Sequence, residues 1–195
     1  MTLTQREKWS REIGLLRGAG IMLAPGLSAA ELAAAEEFCD ARFPEDLREL
    51  LSLALPVGAT FPDWRSLPKD DLAGTLARPF EGICFDIERN SFWWEPWGPR
   101  PAELSAAVEL ARVAVEAAPR LIPIFSHRYI PADPHERGNP VFSVVQTDII
   151  YYGRDLRSYL AHEFGGAAYG ESITPAPRYV RFWSDLVDQN NATSG

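Results

Sequence analysis

Apolar positions recur at helical spacing over the first third of the chain and concentrate into strand-like runs in its second half. Between Thr4 and Arg17, Trp9, Ile13 and Leu16 fall on one face, and Thr4-Gln-Arg-Glu7 has capping-box spacing. A first helix is predicted there, ended by Gly18 and Gly20. Ser28-Ala-Ala-Glu31 is a second capping box, opening a helix to about Ala41 with Leu32, Ala35 and Phe38 inward. Pro44, Glu45 and Asp46 suit the start of a third helix, whose stripe is Leu47, Leu50, Leu51 and Ala54, stopped by Pro56. These two helices are expected to pack as a hairpin around Arg42. Residues 56–68 form a loop rich in breakers, followed by a short helix near Asp70 to Ala77.

Residues 82–88, GICFDIE, alternate Ile83, Phe85 and Ile87 against Cys84, Asp86 and Glu88, which predicts a short strand. Ala102 to Ala118 reads as a helix with Leu104, Val108, Ala111 and Val115 inward. The densest β signal follows. Leu121 to Phe125, Arg128 to Ile130, Val141 to Gln146 and Ile149 to Tyr152 are strand-like, with a polar loop at 131–140 and a turn at Thr147-Asp148. Consecutive strands of this kind favour an antiparallel sheet. Helices at Arg154 to Phe164 and Arg178 to Asp188 close the chain, the second with Phe182, Trp183, Leu186 and Val187 on its apolar side. The pattern predicts an α+β fold in one domain over residues 1–195, mostly antiparallel sheet flanked by helices. Residues 1–20 form a helical extension and 189–195 a flexible tail.

Composition narrows the functions. At 46% hydrophobic and 24% charged the chain is an ordinary globular protein, long enough to bury a core without staples. Its 19 Lys and Arg against 27 Asp and Glu give a net charge of -8, which argues against nucleic acid as a partner and suits a basic protein. No apolar run reaches membrane-spanning length and the N-terminus has no signal-peptide core, so a cytoplasmic chain with no membrane partner is expected. Cys39 and Cys84 lack CxxC spacing and read as core thiols.

Candidate chemistry is sparse. His127, His135 and His162 have no metal-ligand spacing, and the loop carrying Asp133, His135 and Glu136 offers no fixed ligand geometry. Ser126 and His127 are neighbours, and on a strand they would point to opposite faces and fail to pair as nucleophile and base. No phosphate-binding glycine loop occurs, so no cofactor, metal or enzymatic activity is expected. Asp148, between two apolar strands, calls for a turn or a partner such as Arg128. The most distinctive feature is Phe92, Trp93, Trp94 and Trp97 within six residues. Such a cluster serves either as a core plug, expected for at least two of the four rings, or as a stacking platform for a sugar or partner.

Five segments, taken in order, resemble one family. They are FPEDLRELLSLALPVGATFPDWR at 43–65, FDIERNSFWWEPWGPRP at 85–101, LIPIFSHRYIP at 121–131, GNPVFSVVQTDIIYYGRDLRSYL at 138–160 and RFWSDL at 181–186. Together they are similar to the SUKH superfamily, which joins fungal cell-wall assembly regulators to bacterial toxin-immunity proteins. The resemblance implies a single α+β domain with no catalytic residues. Its implied function is an immunity-type role, in which the protein binds and neutralises a cognate toxin domain, often a nuclease. Contacts are expected from loops at the ends of the sheet, carried by Trp64, Trp94, Trp97, Arg100, His135 and Glu136. The alternative is a carbohydrate or small-ligand module that uses the tryptophans, marked by a deep pocket between Trp93, Trp94 and Trp97.

Overall fold

The computed structural model describes residues 5–67 and 70–193. Around a four-stranded antiparallel meander, β3 (Leu121–Phe125), β4 (Arg128–Pro131), β5 (Val141–Val145) and β6 (Asp148–Gly153), helices pack on both faces. Ile122, Ile130 and Val141 face a first core built with α2 (Ser10–Gly18), α3 (Ala29–Cys39), α4 (Glu45–Leu53) and α7 (Leu156–Gly165). Leu121, Tyr129, Phe142, Val144 and Ile149 face a second, built with α5 (Asp70–Arg89), α6 (Leu104–Ala117) and α9 (Trp183–Thr193). Burial on both faces explains why the strands read as apolar runs rather than as alternation. The fold is α+β, as the sequence predicts.

Two short helices, α1 (Gln5–Lys8) and α8 (Tyr169–Ser172), and a 3-10 turn at Glu95–Trp97 complete the helical elements. The Thr4 capping box lies outside the described residues. The Ser28 box forms as expected: Glu31 N–H donates to Ser28 Oγ at 3.2 Å and Ser28 N–H to Glu31 at 2.7 Å. That contact and Arg65 hold the Glu31 carboxyl down at about 2. Pro44 is the residue before α4 rather than its first position.

The structure corrects several expectations. Residues 83–88 are not a strand but the last turns of α5, a 20-residue helix that runs through Pro79. Ile83 and Ile87 are both fully buried, whereas Phe85 is 46% exposed. A two-residue period over so short a span shares its outer positions with the helical i, i+4 pair, and burial selects the helix. A second, two-stranded sheet pairs β1 (Met22–Pro25) with β2 (Ala54–Val57), Leu23 opposite Pro56, where the sequence pattern assigns no element to the first strand and a helix end to the second. Inside α6, Leu104 is exposed and Ala107 with Ala111 is buried, because two alanines let the helix sit close to Ile83 and Ile87. The β5–β6 turn is Gln146-Thr147, one residue earlier than expected. Gln146 takes the positive φ of 56°, and Asp148 pairs with Val145 as the first strand residue. The last helix starts at Trp183 and continues through Thr193, so most of the expected tail is helical.

Two contacts lock the sheet to its cover. A Cβ on Gly82 would lie 2.7 Å from Gln146 Cα, so α5 meets the β5–β6 turn at a distance only glycine allows. One turn on, buried Asp86 accepts the Thr147 N–H at 2.8 Å and its hydroxyl at 2.6 Å. Among the described residues no further strand pairs with the outer edge of β6. Its carbonyls are met by side chains: Asn190 Nδ2 reaches Thr147 O and Ile149 O, Tyr169 OH reaches Tyr151 O, and Ser172 Oγ reaches Tyr152 O. Among the described residues no helix is long and apolar enough to cross a membrane.

Candidate functional site: a braced loop beside a charged cleft

The polar loop between β4 and β5, residues 132–140, is pinned at four points. Asn139 is fully buried at its base; its Nδ2 donates to Pro131 O at 2.9 Å and Pro134 O at 2.7 Å, and its Oδ1 accepts from Arg178 at 2.8 Å. Gly138, at φ 86°, donates its N–H to Asp46 Oδ2 at 3.0 Å. Asp46 is buried in the first turn of α4, and burial pushes its carboxyl up from the usual range. Glu45 N–H, an orphan donor of the α4 N-terminus, is satisfied by His135 O at 3.0 Å. Arg137 grips α4 from above, with Nε on Glu45 and both Nη atoms on Glu49.

The grip continues inward. Glu49 also accepts the Trp9 indole N–H at 3.0 Å; the Arg157 guanidinium lies 4.0 Å above the Trp9 ring and pairs with Glu12 at 2.7 Å. Trp9 and Glu12 are buried, so alternating charges run from α2 to the loop. Buried polar chains of this kind rigidify what they hold when their members are satisfied.

His135 and Glu136 stand at the exposed tip of this loop. His135 Nδ1 meets Ala132 O at 2.9 Å; a carbonyl only accepts, so Nδ1 carries the proton. The Glu136 side chain is 78% exposed, with Arg178 at 3.7 Å. Beside them a cleft of about 490 Å³ is lined by Arg42, Arg48, Glu45 and Glu49 together with His135, Glu136 and Arg137 of the loop.

The other four expected contact residues lie elsewhere. Trp64 is 3% exposed and packs edge-on to Phe43 at 5.1 Å, so it belongs to the first core and offers no surface to a partner. Trp94 and Trp97 are half-buried and pack against the second core. Phe92, Trp93 and Trp94 each set an edge against Trp97 at 5.1–6.1 Å, and Phe182 completes the group. The rings spend their faces on one another, and Trp93 Nε1 donates to Gly98 O at 2.7 Å. The cleft beside the loop is not lined by any of them. Arg100 donates to Ile87 O at 2.6 Å, capping the last turn of α5. Of the six, His135 and Glu136 come together beside the cleft, while Trp94 and Trp97 meet only each other, in the aromatic cluster.

Two further expectations change. Ser126 and His127 do hydrogen-bond, at 3.1 Å, because they occupy the β3–β4 turn and Ser126 takes φ 51° instead of strand geometry. Burial, then the neighbouring Arg128, pushes the His127 pKa down. Arg128 does not serve Asp148: it donates to Ser143 Oγ at 3.0 Å, pairs with Glu163 at 3.4 Å and lies 3.7 Å over Tyr152. Cys39 is a core thiol as expected, raised to about 12 by burial. Among the described residues no group of three or more His, Cys, Asp or Glu side chains gathers as a metal site would.

The sequence signal for the bracing was present but weak. Asp46 and Glu49 sit on the inward side of a helix whose leucines were legible, and a buried carboxylate there requires a donor from outside the helix. Compared with protein-family models, curated proteins and solved structures, the chain has no significant match in any of the three.

Proposed function

We propose that this protein is an immunity-type binding protein that neutralises a cognate toxin domain and engages it through the 132–140 loop. The observation that carries the reading is the bracing of that loop. A solvent-exposed tip bearing His135 and Glu136 is held by Asp46 and Asn139, both buried, and by the Glu49–Arg137 pair. Burying such groups costs stability, and a loop needed only to join two strands could be far shorter. Fixing the loop before encounter removes its ordering cost from binding. The net charge of -8 favours a basic partner such as a nuclease domain and speeds their encounter. The resemblance of five segments to the SUKH superfamily points to the same class of role.

The test is to look for a toxin domain encoded beside this protein's gene and to measure its binding by calorimetry; a neighbourhood that encodes none removes the main support of the reading. A 1:1 complex of nanomolar affinity, about -12 kcal/mol, that abolishes toxicity is expected. The double change His135→Ala, Glu136→Lys is expected to weaken it by at least roughly tenfold, about 1.4 kcal/mol, without changing the melting temperature. Absence of a complex refutes the immunity role. A complex indifferent to the double change refutes the loop as its contact.

A further inference from the structure

The lining of the cleft beside the loop has a chemistry that neither the fold nor the braced loop uses. Arg48 is held end-on: only its Nη1 is engaged, donating to both oxygens of Glu36 at 2.7 and 2.6 Å. Glu36 is itself fixed, because it also accepts the Phe43 N–H at 2.7 Å. Among the described residues the Nε–H and Nη2 donors of Arg48 are unspent, and that edge of a guanidinium takes two oxygens in parallel. Arg42 lines the same cleft, is exposed and makes no hydrogen bond or ion pair among the described residues. Arg137, in the same lining, differs from both, since all three of its nitrogens are committed to Glu45 and Glu49.

A protein with eight excess negative charges thus keeps two guanidiniums with open donors in the lining of one cleft. The Glu36 carboxylate, 15% exposed, orients Arg48 without closing its second edge. Leu32 and Phe43, both buried, supply apolar floor nearby, so a bound charge would be partly shielded from water.

We propose that the Arg42–Arg48 pair is a binding site for a small-molecule oxyanion, a phosphoryl or carboxylate group. The anion takes the Nε–Nη2 edge of Arg48 bidentately and draws Arg42 over it. Glu136, which lines the same cleft from the loop, sets the outer limit of what fits: it repels a second anionic group and favours a ligand whose far end is neutral or cationic.

Inorganic phosphate is the probe. Side-chain Nε–H resonances of a ¹⁵N-arginine-labelled sample are followed during titration of the free protein, at constant ionic strength. A saturable shift of the Arg48 Nε–H is expected, weakened roughly tenfold or more by Arg42→Ala, with Arg42→Lys falling between. Arg112→Ala removes an exposed guanidinium elsewhere, paired with Glu109 at 3.3 Å, and is expected to leave the titration unchanged. Absence of a saturable shift at Arg48 overturns the proposal. So does equal weakening by Arg42→Ala and Arg112→Ala, which reports bulk charge, or indifference to Arg42→Ala. No toxin domain is present, so either outcome leaves the immunity reading to its own test.

Discussion

Replacing Asn139 with alanine isolates the energetic cost of holding the loop. The side chain is fully buried, and the substitution deletes donors to Pro131 O and Pro134 O and an acceptor for Arg178. Pro131 is buried, so its carbonyl loses its partner with no water to replace it, while Pro134 is half-buried and recovers part of the loss. At about 1–3 kcal/mol for each buried acceptor left unpaired, the expected destabilisation is roughly 2–4 kcal/mol. For a chain of this size that lowers the melting temperature by about 4–16 °C. Urea unfolding followed by circular dichroism should show a lower midpoint at unchanged m-value, and the Gly138 amide should exchange faster, since its bond to Asp46 depends on the loop's path. A loss under about 0.5 kcal/mol, the range of an ordinary surface substitution, would refute the claim that Asn139 braces the loop.

Two other perturbations probe the frame. Gly82→Ala gains about 1 kcal/mol of helix propensity but sets a Cβ 2.7 Å from the Gln146 backbone, where no rotamer can relieve it. A clash with backbone at this distance sits at the upper end of the overpacking range, about 2–3 kcal/mol, so a net loss of about 1–2 kcal/mol is expected in a thermal melt, and an unchanged or raised melting temperature contradicts the close approach. Asp46→Asn tests the buried carboxyl through pH. The folded-state pKa is raised, chiefly by burial and further by Asp155, so protonated Asp46 contributes stability that is lost as pH rises through that pKa. An amide stays neutral and still accepts from Gly138. The stability of the variant relative to the natural protein should therefore increase between pH 4 and pH 7, as read by urea unfolding, and a constant difference would place the carboxyl in water.

Long-range packing marks where the sequence stops being readable. The meander was legible because β-branched and aromatic runs of strand length have few other uses. The Ser28 cap and the α4 stripe were legible because their signals are local. The 82–88 segment misled because Ile83 and Ile87 satisfy both periods, and only the second core decides between them. Strands β1 and β2 were hidden for a related reason: they lie 32 residues apart at Met22 and Ala54, carry two prolines and are four residues long. At the site, exposure rather than residue type separates Trp64 from His135, and pattern alone does not reveal exposure. A tryptophan beside a run of breakers has the same local signature whether it anchors a core or meets a partner. The ladder from Glu12 to Arg137 joins α2, α7, α4 and the 132–140 loop, so no window of sequence contains it.

The seal on β6 has a consequence for how the protein is made. By Gly153 the ribosome has delivered every strand of the meander, and β5 can pair with β6 as soon as both emerge. The far side of β6 then presents bare carbonyls, a template for any passing extended segment. Tyr169 and Ser172 close part of it, but Thr147 O and Ile149 O wait for Asn190, 37 residues after Gly153. A nascent chain stalled before α9 is thus fully equipped to recruit a second β-strand, and the docking of α9 is the event that closes the edge.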